Sequence, residues 1–240
     1  MKFTYLLIDL FSVLVPLLFS FHPGLKFYKS WPALFPAMLL TATIFLAWDS
    51  YFTHLRIWGF NKAYLTGIDI GNLPLEEVLF FICIPYACLF TYASLSLMVR
   101  KNLSKRAQLV ISLALVIASV LMLLVFHSLY YTSSAFALLA VLLITAQFFL
   151  KVSWLSRFYT TYLVLLLPFL IVNGLLTGTG LAKPVVWYNS AHIMGLRVLS
   201  IPLEDVFYGM DLILLNVMIF TGLKTLIFNR HKTRQKLTTA

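Results

Sequence analysis

Apolar residues in this chain gather into runs too long and too uniform to be one face of a soluble helix. Runs of about 17 to 25 residues are the length that crosses a hydrocarbon core. Counting them predicts seven spans near 3–21, 32–48, 74–98, 107–126, 133–150, 158–176 and 202–222. Polar positions fall between them, mainly in two 25-residue connections (49–73 and 177–201) and after Gly222. The predicted fold class is all-α, a polytopic membrane protein of seven transmembrane helices with no separate soluble domain. The first run carries Asp9 and Pro16 and lacks a small-residue cleavage pattern, so it is expected to stay as a span.

Composition removes the soluble alternative. Of 240 residues, 61% are hydrophobic and 11% charged, against roughly 25% charged in ordinary globular domains. A net charge of +10 would suggest nucleic acid in a soluble protein; here it points to cytoplasmic loops and anionic lipid headgroups, and no nucleic-acid partner is expected. The basic residues divide 13 to 5 between the two sides of the seven-span layout. The positive-inside rule therefore predicts a cytoplasmic C-terminus and an outer N-terminus, with Lys224, Arg230, Lys232, Arg234 and Lys236 as a basic anchor. Cys83 and Cys88 lie about 140° apart around one helix and cannot pair. The histidines show no ligand spacing, so no metal is predicted.

A shift of 128 residues aligns the segment Gly67 to Phe80 with Gly195 to Tyr208, with five positions identical, and places Asn61 on Asn189. This is the signature of a duplication. The expected organisation is a first repeat at 1–98, a linker span at 99–132, a second repeat at 133–222 and a basic tail at 223–240. Spans 1 to 3 then correspond to spans 5 to 7. A displacement of four spans preserves direction, so the repeats are parallel and both polar connections share one membrane face.

Each repeat carries an acidic tetrad, Pro74-Leu75-Glu76-Glu77 and Pro202-Leu203-Glu204-Asp205. Taken singly, either is a good helix start, with proline in the first turn and carboxylates at the positive end of the dipole. The duplication points further, because four of the chain's eight acids sit in these tetrads and charge at a membrane tends to mark function. Glu76, Glu77, Glu204 and Asp205 are the expected catalytic acids. Helical spacing sets Glu76 toward Phe80, Glu77 toward Phe81 and Glu204 toward Tyr208, and ring faces stabilise positive charge. Asp9 and Asp211 are expected to be structural, paired with a polar neighbour such as Gln147 or Asn216.

At these residues the sequence resembles the small integral-membrane lycopene cyclases, found as two subunits or as one fused chain. The resemblance rests on Trp48-Asp49, Trp58, Asn61, Tyr64 to Gly67 and PLEEVLFF in the first repeat. In the second it rests on Asn173 to Gly178, Tyr188-Asn189, Arg197 and IPLEDVFY. It implies a prokaryotic inner-membrane enzyme that takes lycopene from the lipid phase and closes its ends to β-ionone rings, giving γ-carotene and then β-carotene. It adds Asp49 to the candidate catalytic residues, and Trp48, Asn61, Asn173, Asn189 and Arg197 to a pocket with Phe80, Phe81 and Tyr208. Such cyclisation is redox-neutral, so no cofactor is expected, and the chain has no GxGxxG fingerprint. Arg197 aligns with Asp69, so a bridge between the connections competes with a role in holding the acids. The alternatives are a carrier with parallel repeats and a prenyltransferase-like enzyme acting on an isoprenoid, although its DxxxD spacing is missing. A retinal photoreceptor would need a lysine within the last span, and none precedes Lys224.

Overall fold

A computed structural model describes residues 2–98 and 102–238, with side chains to residue 227 in the last helix. The side chains of Arg230, Lys232, Arg234 and Lys236, and so most of the basic anchor, lie outside the described residues. The helices are α1 (Thr4–Phe19), α2 (Trp31–His54), α3 (Leu75–Met98), α4 (Lys105–Val125), α5 (Tyr130–Ile144), α6 (Leu155–Leu176) and α7 (Leu203–Thr238). Between α2 and α3 run strands β1 (Trp58–Phe60), β2 (Asp69–Ile70) and β3 (Leu73–Pro74); between α6 and α7 run β4 (Val186–Tyr188), β5 (Arg197–Val198) and β6 (Ile201–Pro202).

Six segments are long and apolar enough to cross a membrane, and they include all the helices except α1. The outer face of α4 shows why lipid suits them: Val110, Ile117, Leu121 and Leu124 are exposed side by side at helical spacing. The predicted boundaries shift in three places. The first run yields only 16 helical residues, about 24 Å long, because the chain turns at Ser20–Phe21 instead of continuing. The second helix does not end at residue 48 but runs to His54, so Asp49 is a buried helical residue rather than an interfacial one. The last helix passes Gly222, where an added Cβ would meet nothing, and continues through the basic segment to Thr238.

The bundle is built around α3 and α7. α3 packs on α1, α2, α6 and α7, while α7 also packs on α2 and α5, and α4 covers α5 from outside. The main core joins Leu34, Leu89, Leu143, Leu155 and Leu214 without exposed surface. α1 leans on α3 and meets α6 only sparsely.

The polar connections are folded, and equivalent positions do equivalent things. Leu75 N donates to Ile68 O at 2.8 Å and Leu203 N to Leu196 O at 2.9 Å, closing matching hairpins β2–β3 and β5–β6. The two connections are also stitched together. β1 pairs antiparallel with β4 in the register Trp58 with Tyr188, Gly59 with Trp187 and Phe60 with Val186. Gly59 and Trp187 are themselves 128 apart. Beyond the strands, Asn61 N donates to Val185 O and Asn189 N to Ile57 O, both at 2.8 Å. Gly59 has to be small, since a Cβ there would sit 2.4 Å from the Trp187 ring.

Candidate active site

An internal cavity of about 370 Å³ opens beneath the stitched connections. One end is lined by Asp49 from α2, Glu77 from α3 and Asp205 from α7, together with Trp58, Tyr131, Tyr188 and Tyr208. From there it follows α3 past Ile84, Ala87 and Cys88 to Thr91, a helical rise of about 21 Å. The shape is a slot, acidic at one end and apolar along its length.

The two acids of each tetrad divide the work. Glu76 and Glu204 have no exposed surface and turn back toward their own connections. Glu76 Oε1 accepts the Thr66 amide at 2.5 Å, and Glu204 Oε1 accepts the Met194 amide at 2.6 Å, ten residues back in each case. Thr132 Oγ1 adds a bond to Glu204 Oε1 at 2.6 Å. These carboxylates latch each loop onto the helix that follows it. Glu77 and Asp205 face the slot, each held by tyrosine: Tyr5 donates to Glu77 Oε2 at 2.6 Å. Tyr131 and Tyr188 donate to the two oxygens of Asp205 at 2.7 and 2.8 Å. Burial and the adjacent Asp205 push the Tyr188 hydroxyl well above its ordinary value, so it remains a donor.

Asp49 accepts from the Trp58 indole at Oδ1, while its buried Oδ2 has no partner. Position 177, its equivalent in the second repeat, is threonine, so this third carboxyl belongs to one half alone. Around the acids the rings form a cage. Trp58 lies 5.0 Å from Tyr131, 6.2 Å from Tyr188 and 6.3 Å from Tyr208, and Tyr208 packs 5.2 Å from Trp48 and from Phe45.

Of the other expected pocket residues, Phe80, Tyr208 and Asn173 line the slot. On each helix the ring that lines the slot stands three residues after the acid that lines it, Phe80 after Glu77 and Tyr208 after Asp205, rather than four; both spacings share a helix face. Phe81 and Trp48 stand behind the lining, against Phe45. Asn61 and Asn189 lie in the connections instead. Each accepts the amide of the residue two ahead, at 3.1 and 3.0 Å, and donates to the opposite connection, to Pro184 O and Arg56 O. Arg197 is exposed and donates to Ser200 O at 2.5 Å within its own hairpin.

Asp9 and Asp211 do not pair as expected. Gln147 is engaged by Gln108 and Ser112, the Asn216 amide by Leu212 O, and the oxygens of both aspartates are buried without partners. Cys83 and Cys88 are free and buried. Among the described residues, no group of three or more His, Cys, Asp or Glu side chains is arranged to hold a metal.

Tyr5 and Tyr131 escaped the sequence reading, and Trp58 and Tyr188 entered it only as parts of a resemblance. A usable signal existed: both missed tyrosines fall in the opening turn of a repeat's first helix. Tyrosine there is commonly a belt residue. They also lie 126 rather than 128 apart, so the repeat alignment does not superpose them.

Buried carboxyls in an aromatic slot, within a bundle of helices long and apolar enough to cross a membrane, make this slot the candidate active site. The lycopene cyclase family profile matches the chain twice, over residues 2–95 and 128–223. The chain belongs to that family, integral-membrane enzymes acting on carotenoids. Comparisons with curated proteins and with solved structures give no significant match.

Proposed function

We propose that the chain is a lycopene β-cyclase that converts the linear ends of lycopene to β-ionone rings, through γ-carotene to β-carotene. The observation that carries this reading is that Glu77 and Asp205, one from each half, line the same aromatic slot. The reaction needs a proton on the terminal alkene, attack of the neighbouring alkene on the cation, and loss of a proton from the ring. Proton in equals proton out, and nothing is oxidised. In this reading Asp49 and Glu77 deliver the proton, an assignment supported by their lining of the slot and by an Asp49 Oδ2 free of other partners. Asp205, accepting two tyrosine hydroxyls, is the better-stabilised carboxylate and takes the proton back. Trp58, Tyr208 and Phe80 shield the cation between these steps.

The same reading includes seven spans, with α1 reaching across by local bilayer thinning, and two parallel repeats at 1–98 and 133–222 joined by a linker span. The reciprocal stitching of the connections and the convergence of both tetrads on one slot support parallel repeats, because carboxyls on opposite faces of a core roughly 30 Å thick could not meet. The connections then face outward and α7 ends in the cytoplasm. Expression in lycopene-accumulating cells tests the function: red cells turn orange-yellow and extracts contain monocyclic, then bicyclic product. Retention of lycopene with abundant, inserted protein would overturn it.

A further inference from the structure

Along the outside of α1 and α6 runs a second, apolar hollow of about 670 Å³, lined by Leu7, Ile8, Ile171 and Leu175 among others, with Lys2 and Thr4 at its polar end. Phe11, Ser12, Pro168 and Val172 line both this groove and the acidic slot, so the two hollows meet at a shared wall. The wall is weak by construction. α1 and α6 touch sparsely. Pro16 and Pro168 interrupt their backbone ladders at this level, and Ser12 offers a small side chain that bonds only to its own helix, at Ile8 O. Phe11 is 69% exposed and Ile171 60% exposed, toward what the spans mark as lipid.

We propose that this groove is a lateral doorway from the bilayer and the seat of the unreacted remainder of the polyene while one end is held at the acids. This rests on the cyclase reading and adds to it where the rest of the substrate lies. A rod-like hydrocarbon that enters end first cannot be enclosed by a slot ending at Thr91, Leu165 and Ile213. Its remainder needs an apolar channel adjoining the slot, and the α1–α6 groove is parted from the slot only by the wall of Phe11, Ser12, Pro168 and Val172. One end is therefore processed per entry, and the second ring requires the molecule to leave and return reversed.

Two substitutions narrow the doorway without touching the acids. Ser12→Trp fills the shared wall, and Ile171→Trp fills the groove from an exposed position that leaves the core intact. In lycopene-loaded vesicles each is expected to lower cyclisation roughly ten-fold per inserted molecule. A photoreactive residue at Ile171 is expected to capture lycopene, seen as an adduct with polyene absorbance, whereas one at Leu163 on α6, outside the groove and 69% exposed, captures phospholipid. If the native chain cyclises lycopene, both tryptophan variants keep its rate and the Ile171 probe yields only phospholipid adducts, the groove is a lipid seat and the doorway is wrong. If the native chain forms no ring at all, it is the cyclase reading that fails.

Discussion

The two connections that roof the slot share a fold and part of a sequence, and differ where they approach the slot. In both, the first tetrad carboxylate grips an amide ten residues back, and in both an asparagine reaches across to the other connection. Where they face the slot they differ. The first half contributes Asp49 and a Glu77 held by one tyrosine, whereas the second contributes Thr177 and an Asp205 held by two. Positions that hold the roof together are symmetric, and the positions that line the slot differ between the halves. Under the proposed cyclisation, proton donation and proton acceptance are different tasks, and two carboxyls in identical surroundings would not be tuned one as acid and the other as base.

The largest effect should separate inner from outer acids. Glu77→Gln keeps the shape and an acceptor for Tyr5, and Asp205→Asn keeps the shape and an acceptor for one of its two tyrosines; both remove the titrating proton, and each is expected to cut ring formation by about 10²-fold or more, measured as product per inserted molecule. Glu76→Gln and Glu204→Gln can still accept the Thr66 and Met194 amides and should retain most activity. Equal loss in all four would dissolve the division between latch and slot.

How far this division is visible in the sequence follows from what each signal measures. Run length gave the helices, and the 128-residue shift gave the tetrads and the asparagines. Neither tells which of two adjacent acids points inward, because Glu76 and Glu77 stand 100° apart on a helix and the burial of either depends on the loop folding back over it. That loop depends in turn on pairing with a partner more than a hundred residues away. Tyr5 and Tyr131 were hidden for the related reason that the halves diverge at the slot. Asp49 was visible, but its depth was not, since helix α2 extends beyond its apolar run.

The shared stitching should break symmetrically. Asn61→Ala and Asn189→Ala each remove a cap and a cross-connection bond, and each is expected to cost about 1 to 2 kcal/mol in unfolding midpoints measured in detergent. Since both act on the same β1–β4 seam, the double variant should lose less than the sum. Gly59→Ala, which drives a methyl into the Trp187 ring, should cost about 1 to 3 kcal/mol and be partly rescued by Trp187→Leu. Strict additivity of the asparagine pair would mean the connections fold independently.

The smallest effect lies at the hairpin turns, where the halves differ without consequence for the slot. Gly71 and Leu199 occupy the same turn position, with φ of 65° and 59°. Glycine adopts that left-handed region freely, whereas leucine is strained there by about 1 kcal/mol. Leu199 is 71% exposed, so its side chain earns little packing in return. Leu199→Gly is therefore expected to raise stability by several tenths of a kcal/mol, because the released strain exceeds the extra freedom given to the unfolded chain. Gly71→Leu should lower it by about 1 kcal/mol. Thermal midpoints of the two variants would then move in opposite directions while cyclisation per folded molecule stays level. A fall in activity with Leu199→Gly would show that the second hairpin's leucine serves the site beneath it, and that the asymmetry between the halves extends into the roof.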